Sequence, residues 1–367
     1  MEIISLNKAG LLEYVNSPSF EAEENLPISF HRAISHANNP RANVNDVLMI
    51  FAKEGRELVG YMGLLPDLLF APNQPIVKIG WISCAWVKES HRGKGITGQL
   101  FREAHFKYNG NLLCTDYVPV TKKMYDSTGF FMERPLVKQG VRLYVKSDLQ
   151  TILPSKSNLF RKNSYLLRAL DAAANSVLSM YTSSLSFPID HLNLEEVSEV
   201  DNEIESLIIK ANGKDYFQRK KRELNWVLKE PWVLRNDDKA VLHQKYYFSS
   251  SDQLFENRLF KLKDKDGNLK TFFFFTNRNG AVKLPYFYSD KAIGDSVKII
   301  NHLLQKWNAK VFTTFHPRLV SALLESKTLA IHKKEVNRNF LIDKQLSKTI
   351  SFPNLFIQEG DGDSVFT

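Results

Sequence analysis

The strand-like run Val77–Val87 is followed, two residues later, by Ser90-His91-Arg92-Gly93-Lys94-Gly95-Ile96-Thr97-Gly98-Gln99-Leu100, which opens an amphipathic helix from Gly98 to Tyr108. Glycines at 93, 95 and 98 allow a tight turn with positive φ and a close approach of the backbone. The helix that follows presents unpaired N–H groups and the positive end of its dipole. Arg92 and Lys94 add positive charge, so the junction suits a pyrophosphate. It is not a Walker loop, because no Gly-Lys-Ser/Thr closes it. Nor is it a dinucleotide fingerprint, which stands near the start of a parallel sheet.

The surrounding pattern fixes the fold class. Val47–Ala52 and Leu58–Leu64 flank the polar turn Lys53-Glu54-Gly55-Arg56 and read as a hairpin. Leu112–Thr115 is a further strand, Pro119 breaks the chain, a helical turn runs through Met124-Tyr125, and residues 136–146 supply another strand. Sequential antiparallel strands around one strand–loop–helix unit make an α+β domain that ends near residue 150. The first thirty or so residues read as irregular or helical.

A chain of 367 residues and 42.2 kDa holds two domains of ordinary size. From Leu159 to Tyr181 the apolar positions follow helical spacing and predict a bridging helix within a linker, residues 151–190. Residues 191–367 predict a second α+β domain. It comprises a largely helical stretch from Leu207 to Lys229, strands at Lys245–Phe248, Arg258–Leu262, Thr271–Thr276 and Val282–Tyr288, a helix at Ala292–Trp307, a strand at Lys310–Thr314 and a helix at Pro317–Glu325. No glycine-rich strand-to-helix loop recurs there. The tail from Glu359 to Ser364 is acidic and turn-prone.

The two cysteines, Cys84 and Cys114, lack metal-ligand or disulfide spacing and read as buried thiols. The N-terminus lacks the features of a secretory signal, and no run reaches the ~18 apolar residues of a membrane span. A cytoplasmic location is expected. The net charge of +9 is spread along the chain. Its densest cluster, Arg219-Lys220-Lys221-Arg222, reads as a solvated helix face and not as a nucleic-acid patch. No metal site is expected.

Arg92-Gly93-Lys94-Gly95-Ile96-Thr97 resembles the signature of the GNAT acyltransferase superfamily: Arg or Gln, two residues, Gly, one residue, then Gly or Ala. Thr97 stands at the small-residue position. A second element of that superfamily, aromatic-x-x-x-Gly-Phe, matches Tyr125-Asp126-Ser127-Thr128-Gly129-Phe130. The resemblance covers residues from about 47 to 145. It implies tandem GNAT-like domains, each a mixed, mostly antiparallel sheet flanked by helices. The first, residues 1–150, would bind acetyl-CoA or another acyl-CoA. The second, residues 191–367, would be degenerate.

The resemblance also implies residue roles. Ala85, Trp86 and Val87 would meet the pantetheine arm, and the amides of Arg92, Gly93, Lys94, Gly95, Ile96 and Thr97 would hold the pyrophosphate. Tyr125 would protonate the departing thiolate, since a phenol of pKa ~10 is protonated at neutral pH. Some members carry a glutamate base eleven residues ahead of the signature; here that position is Trp81, and Asp116 is the nearest alternative carboxylate. His36, Asn39, Arg41 and Trp81 would shape the acceptor pocket. In aminoglycoside-acetylating relatives the terminal carboxylate enters the active site, and the tail ending Asp363-Ser364-Val365-Phe366-Thr367 suggests the same. The activity implied is direct acyl transfer to an amine or hydroxyl of a small molecule, sugar or glycan precursor. A CoA-binding module without turnover is the alternative. The stretch Asn225–Trp232 reads as core or interface, with a carbohydrate-stacking platform as the alternative.

Overall fold

The computed structural model describes residues 1–71, 73–115, 117, 119–132, 136–154, 157–190, 192–211, 215–235, 245–290, 293–350 and 356–366. The chain divides into two compact units. The first comprises residues 1–138, 199–255 and 338–367, and the second residues 139–198 and 256–337. The boundary expected near 150 thus falls at 138, and the expected second domain is shared between the units. Residues 199–255 and 338–367 return to the first unit because their apolar and charged groups pack there, as described below.

In the first unit the strands are β1 (Glu2–Leu6), β2 (Met49–Glu54), β3 (Glu57–Leu69), β4 (Val77–Val87) and β5 (Leu112–Thr115). The β1 to β4 neighbours pair antiparallel, while β4 and β5 pair parallel over Gly80–Ile82 and Leu112–Cys114. Residues 340–342, from strand His332–Ile342, add to the far side of β5 antiparallel. The sheet is mixed and mostly antiparallel, as expected. Strand β1 corrects the expectation of an irregular or helical start.

Helices α1 (Lys8–Val15), α2 (Pro18–Ala22) and α3 (Phe30–Ala37) precede β2. Helix α4 (Ile96–Lys107) makes the crossover from β4 to β5, and α5 (Pro119–Thr128) follows β5. Helix α4 buries Ile96, Leu100, Phe101 and Ala104, an i, i+4, i+8 stripe, against Val59, Met62, Ile82 and Leu112. Trimming Leu100 to alanine there would cost about 2–5 kcal/mol. A second cluster joins Leu11, Phe20, Leu26 and Ala33 to Leu48, Met49, Phe51 and Tyr61, with Tyr246 completing it. The stretch Lys245–Phe248, expected as a strand, contributes only an isolated bridge from Tyr246 to Leu26, because Tyr246 is turned into this core. The expected helix from Leu207 to Lys229 is two helices, Asn202–Ala211 and Lys221–Lys229.

In the second unit, strands Phe255–Lys263, Leu269–Arg278 and Ala281–Ser289 appear at the expected places, with the middle one pairing antiparallel to its successor. Ala281–Ser289 pairs parallel with Val311–Thr314 through helix Ile293–Lys306. Residues 141–144 then pair antiparallel with Val311–Thr314. Phe273, Phe275, Phe287, Ile300, Leu304 and Phe312 centre its core.

Candidate active site

Where β3 and β4 face each other, Tyr61 opposes Trp86 and Gly63 opposes Ser83, so Cys84 and Ala85 together face Met62 alone. This is a β-bulge, and Cys84 holds its extra residue with φ 51°. The bulge frees the end of β4 from regular pairing. Ala85, Trp86 and Val87 therefore line a cleft of about 750 Å³ together with Arg92, Gly93, Gly95, Ile96, Thr97, Gly98 and Tyr247. Gly93 and Gly95 have φ of 82° and 77°, values that side chains strain to adopt, and Gly95 caps the start of α4 in the left-handed conformation. The first turn of α4 carries no acidic residue. Arg92 and Lys94 are exposed at its mouth. Free helix N–H groups, a positive dipole end and two cations together suit an anion, and the bulged strand beside them suits an extended, amide-bearing chain.

The pairing of β4 with β5 ends at Ile82 and Cys114, just before the bulge, and the C-terminal tail meets both strands there. Asp363 Oδ2 accepts a hydrogen bond from Ser83 Oγ on β4 at 2.6 Å, and its Oδ1 accepts from Thr115 Oγ1 on β5 at 3.4 Å. Asp363 remains half-buried. Its neighbour Gly362 lies on the indole of Trp81, where a Cβ would come within 3.2 Å, and takes φ 81°. Trp81, where a glutamate was sought, is itself buried and donates from Nε1 to Asp67 at 2.9 Å. The tail makes the turns that its composition suggested, at residues 359–363, and is largely buried. Phe366 stacks on Trp232 with centroids 4.3 Å apart, and Asp361 accepts from Arg219 Nε at 2.8 Å.

Arg219 also grips Asp67 at 2.6 Å, and Arg41 pairs with Asp67 at 2.8 Å and with Glu223 at 3.3 Å. Burial alone would raise Asp67, but the two guanidinium groups hold its carboxyl below the usual range. Arg219 is therefore an anchor of the tail and not part of a solvated face, although Lys220 and Arg222 are exposed. Arg41 is occupied by these partners and by Gln218 O, and Asn39 bonds Pro66 O and the Arg41 amide.

Arg32 stands at the centre of the site. Fully buried, it donates to Cys84 Sγ at 2.7 Å, to Tyr246 Oη at 2.8 Å and to Ser83 Oγ at 2.8 Å, and its guanidinium lies 3.8 Å over Trp232. Burial opposes its charge, yet Cys84, Tyr246 and Asp363 raise its pKa above the ordinary arginine value. Sequence reading missed Arg32, since one arginine on a short helix carries no signal. His36 accepts from Arg32 Nε at 3.3 Å and stacks on Trp232. Burial and the adjacent Arg32 hold it neutral, its pKa well below the histidine range. Cys84 is partly exposed, unlike the buried thiol expected there.

Tyr125 is buried against Phe101 and Phe131, and its hydroxyl accepts from Cys114 Sγ at 2.9 Å. Burial, then Cys114 and more distantly Asp363 and Cys84, push the phenol well above its ordinary pKa, so it is protonated. Asp116 and Thr367 lie outside the described residues. Trp226 packs edge-on to Phe366 and donates to Ser35 O, and Trp232 is buried, so the aromatic stretch Asn225–Trp232 packs as core around the tail. Among the described residues, no group of three His, Cys, Asp or Glu side chains is placed to hold a metal ion.

A bulged strand joined through a glycine-turned helix to a parallel neighbour defines the fold of the GCN5-related N-acetyltransferases, and the chain has that fold. A GCN5-related N-acetyltransferase from Anabaena variabilis ATCC 29413 superimposes with a TM-score of 0.52 over 93% of this chain and 71% of its own, at 12% identity. A probable N-acyltransferase from Enterococcus faecalis V583 gives 0.53 over 94% and 74%, at 9% identity. A GCN5-related N-acetyltransferase from Kribbella flavida gives 0.50 over 92% and 70%, at 10% identity. No protein-family model matches the sequence, and no curated protein matches it.

Proposed function

We propose that the first unit transfers an acyl group from acyl-CoA, acetyl-CoA being the simplest donor, to an amine or hydroxyl of a small molecule, sugar or glycan precursor. Ala85, Trp86 and Val87 hold the pantetheine arm. The amides of residues 92–97 hold the pyrophosphate, with Arg92 and Lys94 adding charge. The observation that carries the reading is Asp363, a half-buried carboxylate set against β4 and β5 by Ser83 and Thr115. It supplies the base that position 81 lacks.

In this mechanism the acceptor attacks the thioester carbonyl directly, the C–S bond breaks, and Asp363 takes the acceptor's proton. Tyr125 gives its proton to the departing CoA thiolate. Its hydroxyl lies 2.9 Å from Cys114 Sγ. The buried charge of Arg32 beside Ser83 and Cys84 stabilises the developing oxyanion. The acceptor approaches by the groove of about 530 Å³ lined by Asn38, Lys221, Arg222, Trp226 and Glu230, whose few charged side chains on a mainly apolar wall suit a polar molecule with an apolar face.

Thiol release from acetyl-CoA across a panel of amines, aminosugars and alcohols tests the reading. Asp363→Asn is expected to lower turnover roughly 10²-fold or more while leaving CoA affinity within twofold, about what losing a general base costs. Tight CoA binding with no release for any acceptor would instead favour the binding module without turnover.

A further inference from the structure

Helix Ser164–Ser184 of the second unit turns one narrow face inward. Leu167 and Asp171 are its buried residues, and Asp171 is tied down by Ser147 Oγ at 2.6 Å and by the amides of Leu149 and Gln150. Leu166, Leu170 and Val177, three of its helically spaced apolar positions, are not among the buried residues. Those three, with Met180, Tyr165 and Tyr181, are between 48% and 75% exposed. Positions 166, 170, 173, 177, 180 and 181 follow i, i+4, i+7, i+11 spacing, so they form one stripe along the helix, with Ala173 inside it. A solvent-facing apolar stripe of this length is unusual for an isolated soluble domain.

The exposed charges on the helix and in the residues 157–163 before it have one sign. Between Leu149 and Ile189 the sequence carries Lys156, Arg161, Lys162 and Arg168, and Asp171, buried, is the sole carboxylate. Arg161, Lys162 and Arg168 are exposed. A second copy seated on this stripe would bring cations against cations with no carboxylate between them to pair. An anionic bilayer presents the opposite charge together with an apolar layer. Among the described residues no helix is long and apolar enough to cross a membrane, so the contact would be with the surface.

We propose that helix Ser164–Ser184 seats the protein on an anionic lipid surface. Leu166, Leu170, Val177 and Met180 enter the acyl boundary, Tyr165 and Tyr181 lie at headgroup level near its two ends, and Arg161 and Lys162 meet the lipid phosphates. This surface is independent of the acyl-transfer reading.

The test is flotation of the full chain with vesicles of phosphatidylcholine, alone or mixed with phosphatidylglycerol. Wild type floats with the anionic vesicles at low salt and stays behind with the neutral ones. Leu166→Ser, Leu170→Ser and Val177→Ser combined lower the floated fraction roughly tenfold, as does the combination Arg161→Gln and Lys162→Gln. All five side chains are exposed, and an unchanged thermal melt verifies that each variant is folded. Failure of wild type to float on anionic vesicles overturns the proposal, and so does an apolar variant that floats like wild type. A concentration-dependent dimer that the apolar variant dissociates, in place of flotation, assigns the stripe to a second copy and overturns it too.

Discussion

Each unit carries antiparallel strands that feed a parallel pair through a helix, but the two helices begin differently. In the first, Gly93 and Gly95 turn the chain into α4, whose opening turn has no acidic residue. In the second, helix Ile293–Lys306 carries Asp295 in its first turn, paired with Lys298 at 3.2 Å. A carboxylate there already complements the helix dipole and repels a phosphate. The shared connection therefore does not make a cofactor site by itself. What differs is the helix start, left uncompensated in the first unit only; the bulge does not distinguish them, since Leu284 and Pro285 together face Phe275 in the second unit as Cys84 and Ala85 face Met62 in the first.

A second contrast concerns the tail. Residues 356–366 belong to the first unit, held by Asp361 on Arg219, Gly362 on Trp81 and Phe366 on Trp232. The strongest way to break this arrangement is Arg219→Ala, which strands Asp361 and half of Asp67's pairing in the interior. It is expected to lower the stability of the first unit by about 3–5 kcal/mol. Trp307 is the one tryptophan of the second unit; in a Trp307→Phe background, indole fluorescence during urea unfolding reports the first unit alone. An unchanged midpoint would mean that the tail is not anchored through Arg219.

Smaller is the effect of Tyr125→Phe, which keeps the ring among Phe101 and Phe131 but removes the proton. Turnover should fall roughly 10²-fold with CoA affinity unchanged, at the low end of general-acid effects. An equal rate would remove the phenol from the reaction. The smallest effect is on pH. Burial, then the adjacent Asp361, raises Asp215 in the first unit from 3.8 to about 7. An acid raised on folding leaves stability intact below its unfolded pKa and erodes it as pH climbs to the folded one. Asp215 thus contributes a loss of stability to the first unit between about pH 4 and pH 7, and Asp215→Asn should remove that contribution, read as the difference between the two pH profiles. A slope identical to wild type would contradict the burial assigned to Asp215.

Local pattern carried much of this architecture. Strand Val77–Val87 and strand Leu112–Thr115 stand where alternation and the flanking turns placed them, and α4 begins two residues before the predicted helix. Glycine spacing gave away the loop because positive φ has so few other solutions. What stayed hidden depends on contacts distant in sequence. Asp363 meets Ser83 across 280 positions, and Arg32 meets Tyr246 across 214. Neither pairing leaves a local periodicity. Arg219 looked like surface because its neighbours are cations; its partners, Asp67 and Asp361, are far along the chain. The strand His332–Ile342 was missed because its first half is polar and exposed.

The central claim is that one CoA binds per chain, at the start of α4. Equilibrium titration of the full chain with CoA, wild type beside Gly93→Val/Gly95→Val, tests it most directly. The added side chains meet no neighbour, but they strain a backbone held at positive φ by ~1–3 kcal/mol each and would turn the amides away. The account predicts a single site in wild type and a loss of affinity of roughly 10²-fold in the variant. Two sites per chain, or a variant that binds as tightly as wild type, would contradict it.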